Sequence, residues 1–351
     1  MPYYLPCCIV KIYSRIVLTY DMSKRCVALL SGGLDSTIAV KLMQEQGIEV
    51  KALAVKTPFC DFDCGKGCGF KVREVADELG IDLKTVYLGR EYLEMLKNPK
   101  YGYGSAMNPC IDCRIMMFKA AKEYMESVGA DFLVTGEVLE QRPMSQNSRA
   151  LKIIEEESGL KGRVLRPLSA KCLRPTDVEV KGYVNRDKLL SIRGRSRKVQ
   201  LSLAKRFTLT NVQNSSGGCI LTDKYFAKKL KDLMDHCSDI TLNDVELLKV
   251  GRHFRLGADT KLIVGRNKDE NEIIESLSDA DDLLLEPADV KGPKALLRGN
   301  YNDDILTLSA RIVCRYSDSS ICTIIMKKGN KVIKEVNTEA IDSQSLESYR
   351  I

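Results

Sequence analysis

Cys26-Val27-Ala28-Leu29-Leu30-Ser31-Gly32-Gly33-Leu34-Asp35-Ser36 is the stretch around which the rest of the chain is organised. Its uninterrupted apolar start predicts a buried strand, and the residues from Asp35 to about Gln46 predict an amphipathic helix. The two glycines between them let the backbone turn sharply and approach a ligand with no Cβ in the way. The first turn of the helix then aims unbonded N–H groups, and the positive end of its dipole, at whatever sits in the turn. Ser31 and Ser36 add hydroxyl donors, and Asp35 could hold a magnesium ion or cap the helix. The stretch reads as a phosphate cradle, but neither G-x-x-x-x-G-K-[ST] nor G-x-G-x-x-G is present in it.

Downstream the chain alternates as a parallel α/β domain does. Strands are expected over residues 49–55, 82–88, 131–135 and 163–168, and helices over residues 70–79 and about 111–128. In open sheets of this kind ligands sit outside the carboxyl ends of the strands. The loops after Leu30, Val55, Thr135 and Leu168 should therefore share one cleft, with Val55, Gly136 and Arg166 beside the nucleotide. Ser-Gly-Gly-x-Asp-Ser after a strand resembles the pyrophosphate loop of the PP-loop ATP pyrophosphatases. That resemblance implies a fold of the adenine nucleotide alpha hydrolase type, binding of ATP and Mg2+ at Ser31, Gly32, Gly33, Asp35 and Ser36, and transfer of AMP to a carbonyl oxygen.

Three groups of cysteines follow. Asn108-Pro109-Cys110-Ile111-Asp112-Cys113-Arg114 opens the long helix, where the positive dipole end favours thiolate. Ser215-Ser216-Gly217-Gly218-Cys219 is a second Gly-rich turn that presents a thiol. A pyrophosphate loop followed by N-P-C-x-x-C and a later S-x-G-x-C is similar to the tRNA thiouridine synthetases. The resemblance implies that Cys110, Cys113 and Cys219 are catalytic, holding a [4Fe-4S] cluster or serving as a persulfide-bearing pair. The third group, Cys60, Cys64 and Cys68, departs from that pattern. Loop thiols among glycines suit zinc or an iron–sulfur centre.

Between the fifth strand and Cys219 the cations Arg186, Lys188, Arg193, Arg195, Arg197, Lys198, Lys205 and Arg206 are opposed only by Asp187. Such an excess of one sign suits an RNA backbone. Leu201, Leu203, Ala204 and Phe207 could face inward on a helix there. Further on, two strands are expected over 246–255 and 261–267, helices over 270–277 and 303–315, and a hairpin turning at 328–330. The run Gly251-Arg252-His253-Phe254-Arg255-Leu256, with Val264-Gly265-Arg266-Asn267 after it, resembles an NFACT-type RNA-binding domain, which brings in Arg252 and Arg255. The residues from Asn337 are polar enough to fray.

The expected fold is thus α/β with a smaller C-terminal α+β domain. Residues 1–21 form an extension or an upstream mis-start, and 22–215 the nucleotide domain with its basic segment at 186–206. Residues 216–244 hold the Cys219 turn and a connecting helix, 245–315 the RNA-binding domain, and 316–351 a hairpin and tail. At 351 residues two cores are affordable, and 44% hydrophobic with 29% charged residues describes a globular protein. Thirteen cysteines, an odd and scattered number beside an ATP loop, argue against a disulfide framework and for a reducing, cytoplasmic setting. No apolar run approaches a membrane span, and the net charge of +7 hints at a polyanionic partner.

The expected function is thiolation of a tRNA uridine, with sulfur from a cysteine desulfurase, a sulfur carrier or free sulfide. The rival readings are a PP-loop synthetase forming an amide or nitrile on a small molecule, and an RNA-binding module with a vestigial ATP site.

Overall fold

The computed structural model describes residues 24–60, 68–210 and 219–351, with the backbone alone at 68–71. The expectations for residues 1–21, Cys64, Gly217, Gly218 and the Cys68 side chain lie outside what is described. The first domain holds β1 (Arg25–Leu29), α1 (Leu34–Gln44), β2 (Glu49–Lys56), α2 (Cys68–Leu79), β3 (Leu83–Tyr87), α3 (Arg90–Lys97) and α4 (Cys110–Ser127). It continues with β4 (Phe132–Thr135), α5 (Ser148–Glu157), β5 (Val164–Leu165), α6 (Asp177–Val180) and α7 (Lys198–Arg206). Its sheet runs β3-β2-β1-β4-β5, and every pairing is parallel.

Strand order reverses between β1 and β4, so a crevice opens at their carboxyl ends, where Ser31 and Gly136 stand. Side chains alternate across the sheet, and both faces are covered. Cys26, Ala28, Val50, Ala52 and Val134 join one apolar core with α1 and α2, while Val27, Leu53 and Leu133 join another with α4. Two helices lie in stretches for which no element was expected. In α3 the buried residues are Tyr92, Leu93 and Leu96, and in α5 Ala150, Leu151 and Ile154, the one-turn spacing of an apolar helix face. Asn147 caps α5 by accepting from the Ala150 N–H at 2.9 Å.

Two connecting helices, α8 (Lys224–His236) and α9 (Leu242–Leu248), lead into the second domain. The strand expected from Glu246 is a correction, because residues 246–248 complete α9 and only β6 (Arg252–Arg255) is extended. A capping box between Thr241 and Asp244 starts that short helix and outweighs the apolar run behind it. There follow β7 (Lys261–Val264), α10 (Lys268–Ser276), β8 (Leu283–Pro287), β9 (Ala295–Arg298), α11 (Asp303–Arg315), β10 (Ile321–Lys328), β11 (Lys331–Glu339) and α12 (Ser343–Tyr349). The sheet runs β11-β10-β8-β9-β7-β6 with antiparallel pairings, so the hairpin belongs to the same sheet as β6 to β9. The tail does not fray: Asp342 caps α12, and Leu346 is buried in the domain core. Asp232 of α8 ties the linker to this domain, taking Arg255 at 3.1 and 2.6 Å and Lys261 at 3.4 Å.

Candidate active site

The turn between β1 and α1 is held by its own polar groups. Ser36 Oγ donates to the Gly33 carbonyl at 2.9 Å, Thr37 Oγ1 to the same carbonyl at 3.0 Å, and the Ser31 and Ser36 hydroxyls stand 3.2 Å apart. Gly32 adopts a φ of +72°, a left-handed conformation that favours glycine. Gly33 occupies the N-cap of α1 and supplies no side-chain cap, so the first amides of the helix are left for a ligand. Gly136, at the end of β4, is required by contact. A Cβ there would lie 2.6 Å from both the Asp35 carbonyl carbon and the Ser36 Cα. The loop after β4 therefore presses backbone to backbone on the phosphate turn.

Asp35 accepts from Gln141 Nε2 at 3.2 Å through Oδ2, while its buried Oδ1 has no hydrogen-bond partner. An orphaned carboxylate oxygen beside a phosphate cradle fits Mg2+, which binds through one or two carboxylates and substrate phosphates. Val55 ends β2 partly buried between two apolar clusters. Arg166 is only 3% exposed, and its guanidinium is committed to Glu137 at 3.0 Å and to Glu155. It buttresses the floor of the cleft through Glu137, which also takes Arg114 at 3.7 Å.

The thiols assemble beside this turn. Cys110 and Cys113 open α4, and Cys219 sits on the loop before α8, whose Leu221 carbonyl accepts from the Met107 N–H at 3.0 Å. Cys113 and Cys219 pack against one apolar cluster containing Phe59, Tyr92 and Phe226, and the Tyr92 hydroxyl is hydrogen-bonded to Cys113. The charge of Cys110 acts on both Cys113 and Cys219, so the three form one group. All three are free thiols. The expectation that the helix dipole favours thiolate is overturned, because burial dominates. It raises Cys110 above the usual thiol range, against the pull of Arg114 and Arg142, and pushes Cys113 up to about 11 and Cys219 up to about 12.

Soft thiols from two elements suit an iron–sulfur or zinc centre by donor chemistry. Among the described residues, however, no three His, Cys, Asp or Glu side chains form a ready single-ion site. Arg142 is a site residue that sequence reasoning missed. The charges of Arg114, Cys110, Asp35 and Arg197 all act on it, so its guanidinium is within electrostatic reach of both Asp35 and Cys110. An isolated arginine in a loop carries no sequence signal of that placement.

The basic residues divide. Arg195 and Lys198 are exposed, and Arg193 is exposed but pairs with Glu140 at 2.7 Å. Arg197 lies at the N-cap of α7. The inward face of that helix is turned from the one expected: Gln200 is fully buried and Leu201 is 42% exposed, while Leu203, Ala204 and Phe207 do pack. Arg252 covers the Tyr316 ring at 4.5 Å and donates to the Gly265 carbonyl at 3.3 Å. Arg255 is the partner of Asp232 described above, so both these arginines serve the packing of the second domain.

Comparisons with known proteins agree with this layout. Residues 24–187 match the tRNA methyl transferase HUP domain, and residues 251–350 match the NFACT protein RNA binding domain. A tRNA-specific 2-thiouridylase MnmA of Methylobacillus flagellatus is 27% identical over 267 residues, which cover 71% of this chain and 70% of that one. The corresponding protein of Serratia proteamaculans is 33% identical over 144 residues, 38% of this chain and 39% of its own length. The U34-tRNA thiolase NcsA of Methanococcus maripaludis, solved with its [4Fe-4S] cluster, aligns at 16% identity and a TM-score of 0.31, covering 65% of this chain and 70% of that one. By its loop, its sheet and its two matched domains, the chain has at residues 24–187 a PP-loop α/β domain similar to that of the tRNA thiouridine synthetases, and at residues 251–350 an NFACT-type RNA-binding domain.

Proposed function

We propose that the protein is an ATP-dependent tRNA sulfurtransferase that converts a uridine to a thiouridine. The observation that carries the reading is the phosphate turn with its orphaned Asp35 oxygen, in the same domain whose α4 and following loop bring Cys113 and Cys219 into one cluster. The matched RNA-binding domain and the thiouridylase relatives support an RNA substrate over a small molecule. In the reaction the uridine carbonyl oxygen attacks the α-phosphate of ATP and pyrophosphate leaves. Sulfur then attacks the activated ring carbon and AMP departs, a far better leaving group than the bare oxygen.

The uncapped amides of α1, with Ser31 and Ser36, bind the phosphates and stabilise the charge that develops on them. Asp35 is the residue that would hold Mg2+, which supplies charge neutralisation at the leaving pyrophosphate. Gly136 lets the two loops close on the nucleotide. Cys110, Cys113 and Cys219 are the residues that would hold a [4Fe-4S] cluster, which would supply a binding place for sulfide. The same thiols serve as persulfide carriers where sulfur arrives in that form. At Cys110 both Arg114 and Arg142 favour the thiolate, against the burial that raises its pKa. Arg195 and Lys198 offer exposed charge to the RNA backbone. Purified protein incubated with ATP should release pyrophosphate when tRNA is added, and AMP when a persulfide or sulfide source is added as well. Release of ADP and phosphate, or no response to tRNA, would refute the reading.

A further inference from the structure

The thiol group has a fourth member. Cys60 follows β2, on the loop between Thr57 and the segment leading to α2, and its Sγ stands 3.2 Å from the Thr57 hydroxyl. Its N–H donates to the Thr57 carbonyl at 3.1 Å, which closes the turn. The preceding residue, Phe59, is 1% exposed and anchors that turn in the cluster that holds Cys113 and Cys219. Its ring centroid lies 5.8 Å from that of Tyr92 and 6.0 Å from that of Phe226. Tyr92 is the residue whose hydroxyl is bonded to the Cys113 thiol, and the charge of Cys60 acts on Tyr92, Cys113 and Cys219 alike. Of these four cysteines only Cys60 is exposed.

We propose that Cys60 is the entry thiol of the sulfur site, taking sulfane sulfur from an external alkyl persulfide and handing it to the half-buried thiols Cys113 and Cys219. This rests on the sulfurtransferase reading and adds to it the route by which sulfur arrives. The Cys60 thiolate attacks the outer sulfur of the donor's R–S–SH group. A new Sγ–S bond forms, the donor's S–S bond breaks, and the donor leaves as R–S−. A second exchange of the same kind transfers the outer sulfur to Cys113 or Cys219: a new S–S bond forms there, the Cys60 Sγ–S bond breaks, and the attacking thiol's proton passes to the departing Cys60 sulfur. Neither step changes the net oxidation state, so no electron acceptor is required. The division of labour follows from exposure. An external persulfide can reach Cys60, whereas Cys113 and Cys219 are partly covered by the apolar cluster of Phe59, Tyr92 and Phe226.

The test uses the whole chain with glutathione persulfide, quenched at intervals with an alkylating agent, and mass spectrometry to locate the added sulfur. Neither ATP nor RNA is present, so the result is independent of whether the RNA reaction occurs. In the wild type Cys60 should carry sulfur first, and Cys113 and Cys219 later. In Cys60→Ser the inner thiols should acquire sulfur about tenfold more slowly or worse, since direct attack on a half-buried thiol is all that is left. Cys172→Ser, which removes another exposed thiol, should leave the inner rate unchanged. Inner labelling at the wild-type rate in Cys60→Ser, or a wild-type Cys60 that stays unlabelled, would overturn the proposal. A parallel assay of tRNA-stimulated pyrophosphate release by the wild type, a step that precedes sulfur transfer, tests the sulfurtransferase reading separately. Absence of that release would count against the sulfurtransferase reading and leave the labelling result standing.

Discussion

Replacing Gly136 by alanine should damage the fold and the nucleotide site together. The added Cβ would lie 2.6 Å from both the Asp35 carbonyl carbon and the Ser36 Cα, where ordinary contact begins at 3.4 Å. The neighbours are backbone on both sides, so no side chain can swing away. β4 is fixed by its parallel pairing with β1, and α1 is packed along its length by Leu34, Ile38 and Met43. The two segments must separate by most of an ångström. Overpacking of this kind costs about 1–3 kcal/mol, and a contact with rigid backbone belongs near the top of that range. For a domain of this size that corresponds to a fall in Tm of roughly 4–12 °C. The same shift moves Asp35 and Ser36 away from the phosphates, so affinity for ATP should drop about tenfold or more, the equivalent of at least one lost hydrogen bond. Differential scanning calorimetry and titration with a non-hydrolysable ATP analogue give the two numbers. Wild-type melting together with wild-type affinity would refute the close-approach argument.

Other consequences follow from charge. Arg166→Met strands the buried Glu137 carboxylate and should cost about 3–5 kcal/mol in denaturant unfolding, whereas the conservative pair Arg166→Met with Glu137→Leu should recover much of it. Charge reversal at Arg195 and Arg197 should reduce the slope of log affinity for tRNA against log salt by about one per cation removed. Arg255→Ala should lower stability through loss of the Asp232 pair while leaving that slope unchanged, and a flatter slope would return Arg255 to the RNA surface. His253 is buried neutral, with burial and then Lys261 and Lys229 holding its pKa well below 6.5. The unfolded chain therefore takes up a proton that the native state refuses. Stability from this residue is full above pH 6.5 and lost as pH falls below it, by up to about 1.4 kcal/mol per pH unit. His253→Gln should remove that acid dependence from urea unfolding curves, and an unchanged curve would contradict it.

The parallel domain was legible because its strands are apolar runs of the right length between turn residues. The phosphate turn was legible because two glycines between a strand and a helix have few other uses. The grouping of Cys110, Cys113 and Cys219 came from the resemblance to the tRNA thiouridine synthetases, not from the spacing of the cysteines. Burial was harder to read. Whether a thiol at a helix start is ionised depends on what covers it, and Tyr92 and Phe226, which share a cluster with Cys113 and Cys219, lie on two separate helices that only the fold brings together. The fate of arginines was equally hidden: Arg166 and Arg255 look like ligand cations in a sequence, but carboxylates from other elements claim them. The short helices α3, α5 and α9 had signals in Asn147, in Thr241 with Asp244, and in one-turn apolar spacing, but these are weak beside the long strands.

The central claim is that the nucleotide turn and the thiol group serve one reaction on RNA. It is tested most directly by incubating anaerobically prepared protein with tRNA, ATP and a persulfide or sulfide source, then digesting the tRNA and identifying its nucleosides by mass spectrometry. The account predicts a thiouridine that forms only with ATP, in step with AMP, and that disappears in Asp35→Ala and in Cys110→Ser alike. Conversion of ATP to AMP with no sulfur entering the tRNA, or thiouridine formed equally well by Cys110→Ser, would contradict it.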